Sequence, residues 1–362
     1  MPPSDDSLKH VSPDDALPEV VAPSASFLVP LFVVPFCIVT IIVMVWLAFH
    51  WVALKGTDAA SDIEQLSRNN DARWQAAANF ADRLRNPRNA ALRRDSESAR
   101  KVAAILRGEL EQDLAGDGDS VQHAVNFRLY LCRALGEFEV ADGLPVLLDA
   151  AAGKGAGATH EQENLPVRRA AMAGLSVLIS NVRSRGDTPA DDPFEGVLPV
   201  LSAAAGQREL GAAGPDEVAS LRYTATFALG VLGGADALDQ LVQLLIDANP
   251  DVRYNAACGL ARHGDARAEI ILVEMLDPAV DTGVRTEQAA AARPLKRASI
   301  YHAALQATKK LLDANQADPL HDLQAAVRQL IDENQLEKPV RLQAAEVLNR
   351  FENRTVTTAA GL

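Results

Sequence analysis

The longest apolar run in the chain comes early. From Phe27 to Leu54 the sequence FLVPLFVVPFCIVTIIVMVWLAFHWVAL contains no Lys, Arg, Asp or Glu. A bilayer core of about 30 Å needs about 20 such residues in a helix, so the run predicts one transmembrane helix over 27–54. A cleaved signal peptide fits poorly, because the run is too long and the leader before it is acidic rather than basic. Trp46 and Trp51 lie towards its far end, where indole rings favour the membrane interface, and His50 beside Trp51 reads as an interfacial histidine. Beyond residue 70 the pattern changes to helical periodicity. Val252, Ala256, Gly259 and Leu260 fall at i, i+4, i+7 and i+8, one face of a helix. After Gly233-Gly234, the residues Leu238, Leu241, Val242 and Leu245 form a second stripe, and AEIILVEML from Ala268 does the same after Gly264.

These helix–turn–helix units recur. An aliphatic–Arg step followed by small residues opens VRRAAMAGLSVL (Val167), LRYTATFALGVLGG (Leu221), VRYNAACGLARHGD (Val252) and VRLQAAEVLNRF (Val340). Divergent copies are ARWQAAANFADRL (Ala72), FRLYLCRALGEF (Phe127) and IYHAALQATKKLL (Ile300). The repeated arginines are Arg73, Arg128, Arg168, Arg222, Arg253 and Arg341, with Tyr301 in the sixth copy's place. One unit cannot cover its apolar faces alone, but stacked units can.

The run of Pro or Asp, Val-Arg, an aromatic, small residues and Leu-Gly, then a Leu-rich helix, resembles HEAT repeats of the phycobilisome-lyase type. The likeness is close from Leu221 to Leu276 and fair from about Arg73 to Phe351, with degenerate outer copies as capping repeats require. The resemblance implies an all-α fold, an α-solenoid of HEAT-like helix pairs, whose usual role is to bind protein. Bilin lyases are the enzymatic relatives it implies. No local nucleophile or bilin-binding motif stands out here, and a membrane anchor is not expected of them.

Composition agrees with an all-helical chain. Apolar residues are 48% but aromatics only 5%, so the apolar weight rests on Ala, Leu and Val. The net charge of −13 disfavours nucleic acid, which needs a basic surface. The expected layout is an acidic, disordered leader (1–26), the transmembrane helix (27–54), a linker (55–70), the solenoid (71–352) and a flexible tail (353–362). Before the span the basic residue is Lys9; after it come Lys55, Arg68 and Arg73, a bias that places the solenoid on the cytoplasmic side of the inner membrane. Three insertions, Gly153 to Asn164, Gly206 to Glu217 and Pro278 to Pro294, join one repeat to the next and are expected along one edge. Insertions at Arg183 to Pro193 and Asn86 to Asp95 fall inside repeats.

The recurrent arginines are expected to form a structural ladder, each meeting a carboxylate or helix C-terminus of the adjacent repeat. Catalytic residues do not repeat six times along an array. One HEAT-like enzyme class holds two irons through His-Glu dipeptides in several repeats. This chain has one such dipeptide, His160-Glu161, in a Gly-rich loop, so no metal or other cofactor is expected. Cys132 and Cys258 sit among apolar residues and read as packing groups. No phosphate-binding loop, dinucleotide fingerprint or hydrolase elbow occurs. One local surplus of charge stands out: Arg83, Arg85, Arg88, Arg93, Arg94, Arg100, Lys101 and Arg107 against Asp95 and Glu97. It reads either as a solvated face of the capping repeat or as a patch for anionic lipid, each cation near such a surface contributing about 1 kcal/mol. The expected function is non-catalytic: a membrane-anchored scaffold that holds an unknown protein partner by its concave face or its looped edge. An accessory subunit of a larger membrane complex and a bilin-lyase-like attachment protein are the alternatives.

Overall fold

The computed structural model describes residues 25–55, 59–68, 73–157, 160–186, 193–315, 317–333 and 336–360. Most of the acidic leader, the ends of the linker and the side chains of His50 and Trp51 lie outside them. The chain divides into two units, Met1–Asp58 and Ala59–Leu362.

The first unit holds helix α1 (Ala25–Lys55), 31 residues long. Its described side chains, 33–49, are all exposed. Thr40, the polar exception in this stretch, returns its hydroxyl to Phe36 O at 2.8 Å, which satisfies it within the helix. Among the described residues no helix is long and apolar enough to cross a membrane. The side chains described in α1 form a stretch shorter than the ~20 residues a bilayer core needs.

The regular elements described in the second unit are all helices. It opens with α2 (Ala59–Leu66), α3 (Arg73–Arg85), α4 (Ala90–Arg93), α5 (Ser96–Leu110), α6 (Gly118–Gly136) and α7 (Leu144–Ala151). It continues with α8 (Leu165–Ser184), α9 (Val197–Gly206), α10 (Pro215–Leu232), α11 (Ala235–Leu244), α12 (Pro250–Arg262) and α13 (Glu269–Leu276). The last four are α14 (Thr282–Arg285), α15 (Arg293–Ala314), α16 (His321–Asp332) and α17 (Lys338–Ala360). The first helices of the repeats, α3, α6, α8, α10, α12, α15 and α17, pack in that order as one row. The second helices, α5, α7, α9, α11, α13 and α16, each pack against the first helix of the following copy, α6, α8, α10, α12, α15 and α17. α17 is the first helix of a seventh copy, without a second among the described residues.

Local chemistry sets the boundaries. Asn249 caps α12 by accepting from the amides of Asp251 and Val252, with Pro250 at the first helical position, where its missing N–H costs nothing. Asp95 caps α5 in the same way. Between α10 and α11, Gly233 and Gly234 hold φ of 65° and 85°, a left-handed turn open to glycine. Neighbouring first helices touch through glycine. A Cβ at Gly230 would stand 2.7 Å from Gly259 Cα, and one at Gly136 would stand 2.7 Å from Gly174 Cα. Backbones meet there with no side chain between them.

Two boundaries differ from the sequence reading. The stretch expected as linker contains α2, whose Ile63 and Leu66 are buried in the common core. Its Asp62 pairs with Arg83 of α3, so it begins the packed unit rather than preceding it. The expected tail is helical as far as Ala360. Both segments are short and weakly patterned, and α2 acquires its apolar face only against α3 and α5.

Candidate interaction surface

The repeated arginines form a ladder with a more regular rule than sequence suggests. Arg128, Arg168 and Arg253 each reach two successive second helices at their C-terminal ends, whereas Arg222 meets Asp247, just past the second helix of its own repeat. Arg128 donates to the carbonyls of Glu109, in the last turn of α5, and Gln112 just past it (2.5 and 2.6 Å), and to Gly155 O beyond α7 (2.7 Å). Arg168 donates to Ala151 O, the end of α7, and to Gln207 Oε1 just past α9, both at 3.1 Å. Arg253 donates to Asp247 O beyond α11 (2.9 Å) and to Glu274 Oε1 on α13 (2.7 Å). The end positions have one rung each. Arg73 takes Glu109 Oε1 of its own repeat at 2.7 Å, and Arg341 takes Glu333 O of the preceding one at 2.9 Å.

Helix C-termini leave carbonyls unpaired and carry partial negative charge, so a guanidinium there is doubly favoured. The carboxylate partners come from the same repeat as their arginine, not from the adjacent one; the adjacent repeat supplies carbonyls. Burial lowers the pKa of Arg128, Arg168 and Arg222, desolvation being the largest cause, and each keeps at least one close oxygen. In the sixth copy Arg297, one turn before Tyr301, donates to Pro278 O and Val280 O. The rung is kept although the register position is not, which the repeat alignment could not reveal.

The basic run of the first repeat meets acid in space. Glu139 accepts from Arg93 and Arg94 at 2.8 and 2.6 Å, Glu137 from Arg85 at 2.9 Å, and Asp142 lies 3.6 Å from Arg100. Lys101 pairs with Glu97 at 2.6 Å, and Arg83 with Asp62. Arg88 and Arg107 make no ion pair among the described residues. The surplus seen along the chain is therefore largely compensated by carboxylates from the second repeat.

The remaining candidates separate cleanly. Cys132 is fully buried and Cys258 half-buried, and desolvation pushes both thiols up to about 12. That is the opposite of a reactive thiolate. His263 ends α12, and its Nε2 lies 3.0 Å from Gly230 O, linking repeats four and five. His160 lines a cleft of about 550 Å³ with Gln162, Glu163 and Glu217. Among the described residues no group of three or more His, Cys, Asp and Glu is placed to hold a metal.

The inter-repeat loops touch one another in sequence, along one edge. Leu114 N donates to Gly155 O at 3.2 Å, Gln162 Nε2 to Glu217 Oε2 at 3.1 Å, and Gln288 Nε2 to Asp216 Oδ2 at 2.9 Å. Cross-loop bonds of this kind turn separate insertions into a continuous surface. A second open region lies on the other side of the first-helix row, where Phe227 is 45% exposed beside a groove over α12.

Residues 210–293 match the family of HEAT repeats. The stretch Leu221 to Leu276 lies inside that match, which is to HEAT repeats in general and does not single out the phycobilisome-lyase type. No curated protein matches the chain. Among solved structures, human deoxyhypusine hydroxylase in complex with glycerol is 17% identical, with a TM-score of 0.29 over 78% of this chain and 97% of that one. An engineered protein is 14% identical, with a TM-score of 0.31 over 82% and 98%. A second engineered protein is 13% identical, with a TM-score of 0.18 over 82% and 99%. Overlaps this low bear on neither fold nor activity. The family match over 210–293 and the stacked helix pairs around it support a HEAT-like helical repeat protein, and HEAT repeats commonly serve as scaffolds for protein interaction.

Proposed function

We propose that the chain is a membrane-tethered repeat scaffold that holds a protein partner at the cytoplasmic face of a membrane and binds rather than catalyses. The observation that carries the tether is the uncharged run from Phe27 to Leu54 within α1. The 28-residue uncharged run, if helical throughout at 1.5 Å per residue, spans ~42 Å against a bilayer core of ~30 Å. Its described side chains, Phe36, Ile41 and Phe49 among them, are exposed. Leaving such a sleeve in water costs about 25 cal/mol per Å² of apolar surface, and a bilayer removes that cost. The excess of Lys55, Arg68 and Arg73 over Lys9 supports the cytoplasmic orientation.

Binding is supported by the fold class and by the bonded loop edge, a preformed surface with little ordering cost. The tether raises the local concentration of any partner held in the same membrane. Alkaline carbonate extraction tests the reading. The full chain stays in the membrane pellet and a chain from Ala59 onward is released. Release of the full chain removes the tether from the proposal. Protease protection of a C-terminal tag in vesicles of known sidedness tests the orientation.

A further inference from the structure

The groove over α12 has a chemistry unlike the rest of the molecule. It encloses about 490 Å³ between α10 and α15. Its floor is low because α12 presents Cys258 and Gly259 there, and because Gly230 and Gly259 bring α10 and α12 into backbone contact. The walls are taller. Phe227 rises on one side, and Ala303 and Gln306 stand on the other. Two cations complete it: Arg262 on α12 and Lys310 on α15, each nine residues beyond Arg253 or Tyr301 in its own copy.

Those cations are the informative feature. The surrounding basic residues are paired: Lys309 with Glu346 at 2.6 Å, Arg267 with Asp265 at 2.6 Å, Arg253 with Glu274 at 2.7 Å. Arg262 and Lys310 make no ion pair among the described residues. The guanidinium of Arg262 lies instead over Phe227, 5.7 Å from the ring centroid, which holds it at the groove wall. No carboxylate lines the groove. In a chain of net charge −13 this is a place where an anion meets attraction while the wider surface repels it, and that contrast fixes register.

We propose that the groove docks an acidic segment of the partner protein. One large apolar side chain sits on the Cys258–Gly259 floor against Phe227, and flanking Asp or Glu carboxylates pair with Arg262 and Lys310. The exposed amide of Gln306 on the groove wall offers a donor and an acceptor to a peptide backbone. The proposal deepens the scaffold reading and rests on it.

The test is a peptide-display selection against the full chain in detergent, with the enriched peptides synthesised and titrated by fluorescence anisotropy. Enriched sequences are expected to carry Asp or Glu around a Leu, Ile or Phe. Their affinity is expected to fall roughly ten-fold or more in the double variant Arg262→Glu, Lys310→Glu, and to recover when the peptide acids are changed to Lys. Both substituted side chains are exposed, so an unchanged circular-dichroism melt certifies the fold. Cys258→Trp, which fills the floor, is a second variant expected to abolish binding. The proposal is overturned if no peptide is enriched, if enriched peptides lack acids, or if they bind the double variant as well as the native chain. It is also overturned if the double variant loses only binding to phosphatidylglycerol vesicles. Peptides that bind elsewhere on the repeats sink the groove but leave the scaffold reading standing, whereas release of the full chain by carbonate removes the tether and leaves the groove standing.

Discussion

Replacing Asp247 with Ala tests the arginine ladder at a buried ion pair. The carboxylate is fully shielded and accepts from Arg222, from Arg208 Nη1 at 2.8 Å and from the amide of Asn249 at 2.8 Å. Its own carbonyl accepts from Arg253 of the next repeat. Arg208 is well exposed, so that arm contributes little, under about 1 kcal/mol. Arg222 decides the magnitude. Its side chain is 9% exposed, and burial already lowers its pKa. Removing the carboxylate leaves that guanidinium buried and uncompensated, at a cost of about 3–5 kcal/mol. Replacing both partners, Arg222→Met with Asp247→Leu, removes the charge along with its partner and is expected to cost far less. The assay is urea unfolding of the chain from Ala59 onward, followed by circular dichroism and by amide exchange. In the Asp247→Ala variant the amides of α12 should lose protection first, because Asn249 caps that helix and is itself held by Asp247. A loss below about 1 kcal/mol with α12 amides unchanged refutes the structural reading and makes Arg222 a candidate for a ligand instead.

Four further outcomes follow from the packing. In the chain from Ala59 onward, Cys132 and Cys258 should react with a thiol reagent at pH 8 about a thousand times more slowly than after unfolding, since both thiols are pushed up to about 12 from 9.0. The sign for stability is fixed by the same shift: the folded state favours the neutral thiol, so stability is intact below pH 9.0 and declines between 9.0 and about 12, as pH-resolved urea melts would register. Gly230→Ala forces a Cβ to 2.7 Å from Gly259 Cα and should cost about 1–3 kcal/mol in thermal unfolding. Gly108→Ala in α5, where nothing lies within 4 Å, should instead stabilise by roughly 0.5–1 kcal/mol.

How much of this was legible in the chain depends on the range of the interaction. Helix α12 was readable from Asn249-Pro250 at its start, Gly264 after its end and the apolar stripe between, because caps and periodicity act over a few residues. The repeat was readable because each copy solves the same packing problem with the same residue types. The inter-repeat insertions fall where the repeat register put them. Helix α2 was missed, since eight residues carry too little pattern and their apolar face exists only against α3 and α5. The groove gave no signal, because Gly, Cys and Ala in a first helix read as ordinary close packing.

The sequence by itself determined an all-helical chain of stacked pairs, the uncharged run from Phe27 to Leu54, and the series of arginines. Each of these is a local or periodic property, fixed by residue type and spacing. Tertiary structure alone decided where charge is free. Eight basic residues from Arg83 to Arg107 stand out as a cationic run in one dimension, yet Glu137, Glu139 and Asp142 from the next repeat meet four of them, Arg85, Arg93, Arg94 and Arg100. Arg262 and Lys310, separated by 48 positions and unremarkable in sequence, are left facing one groove with no carboxylate. A net local charge depends on neighbours within about a Debye length in space, ~8–10 Å, and in a stacked array those neighbours come from the next repeat, some 30 or more residues away along the chain.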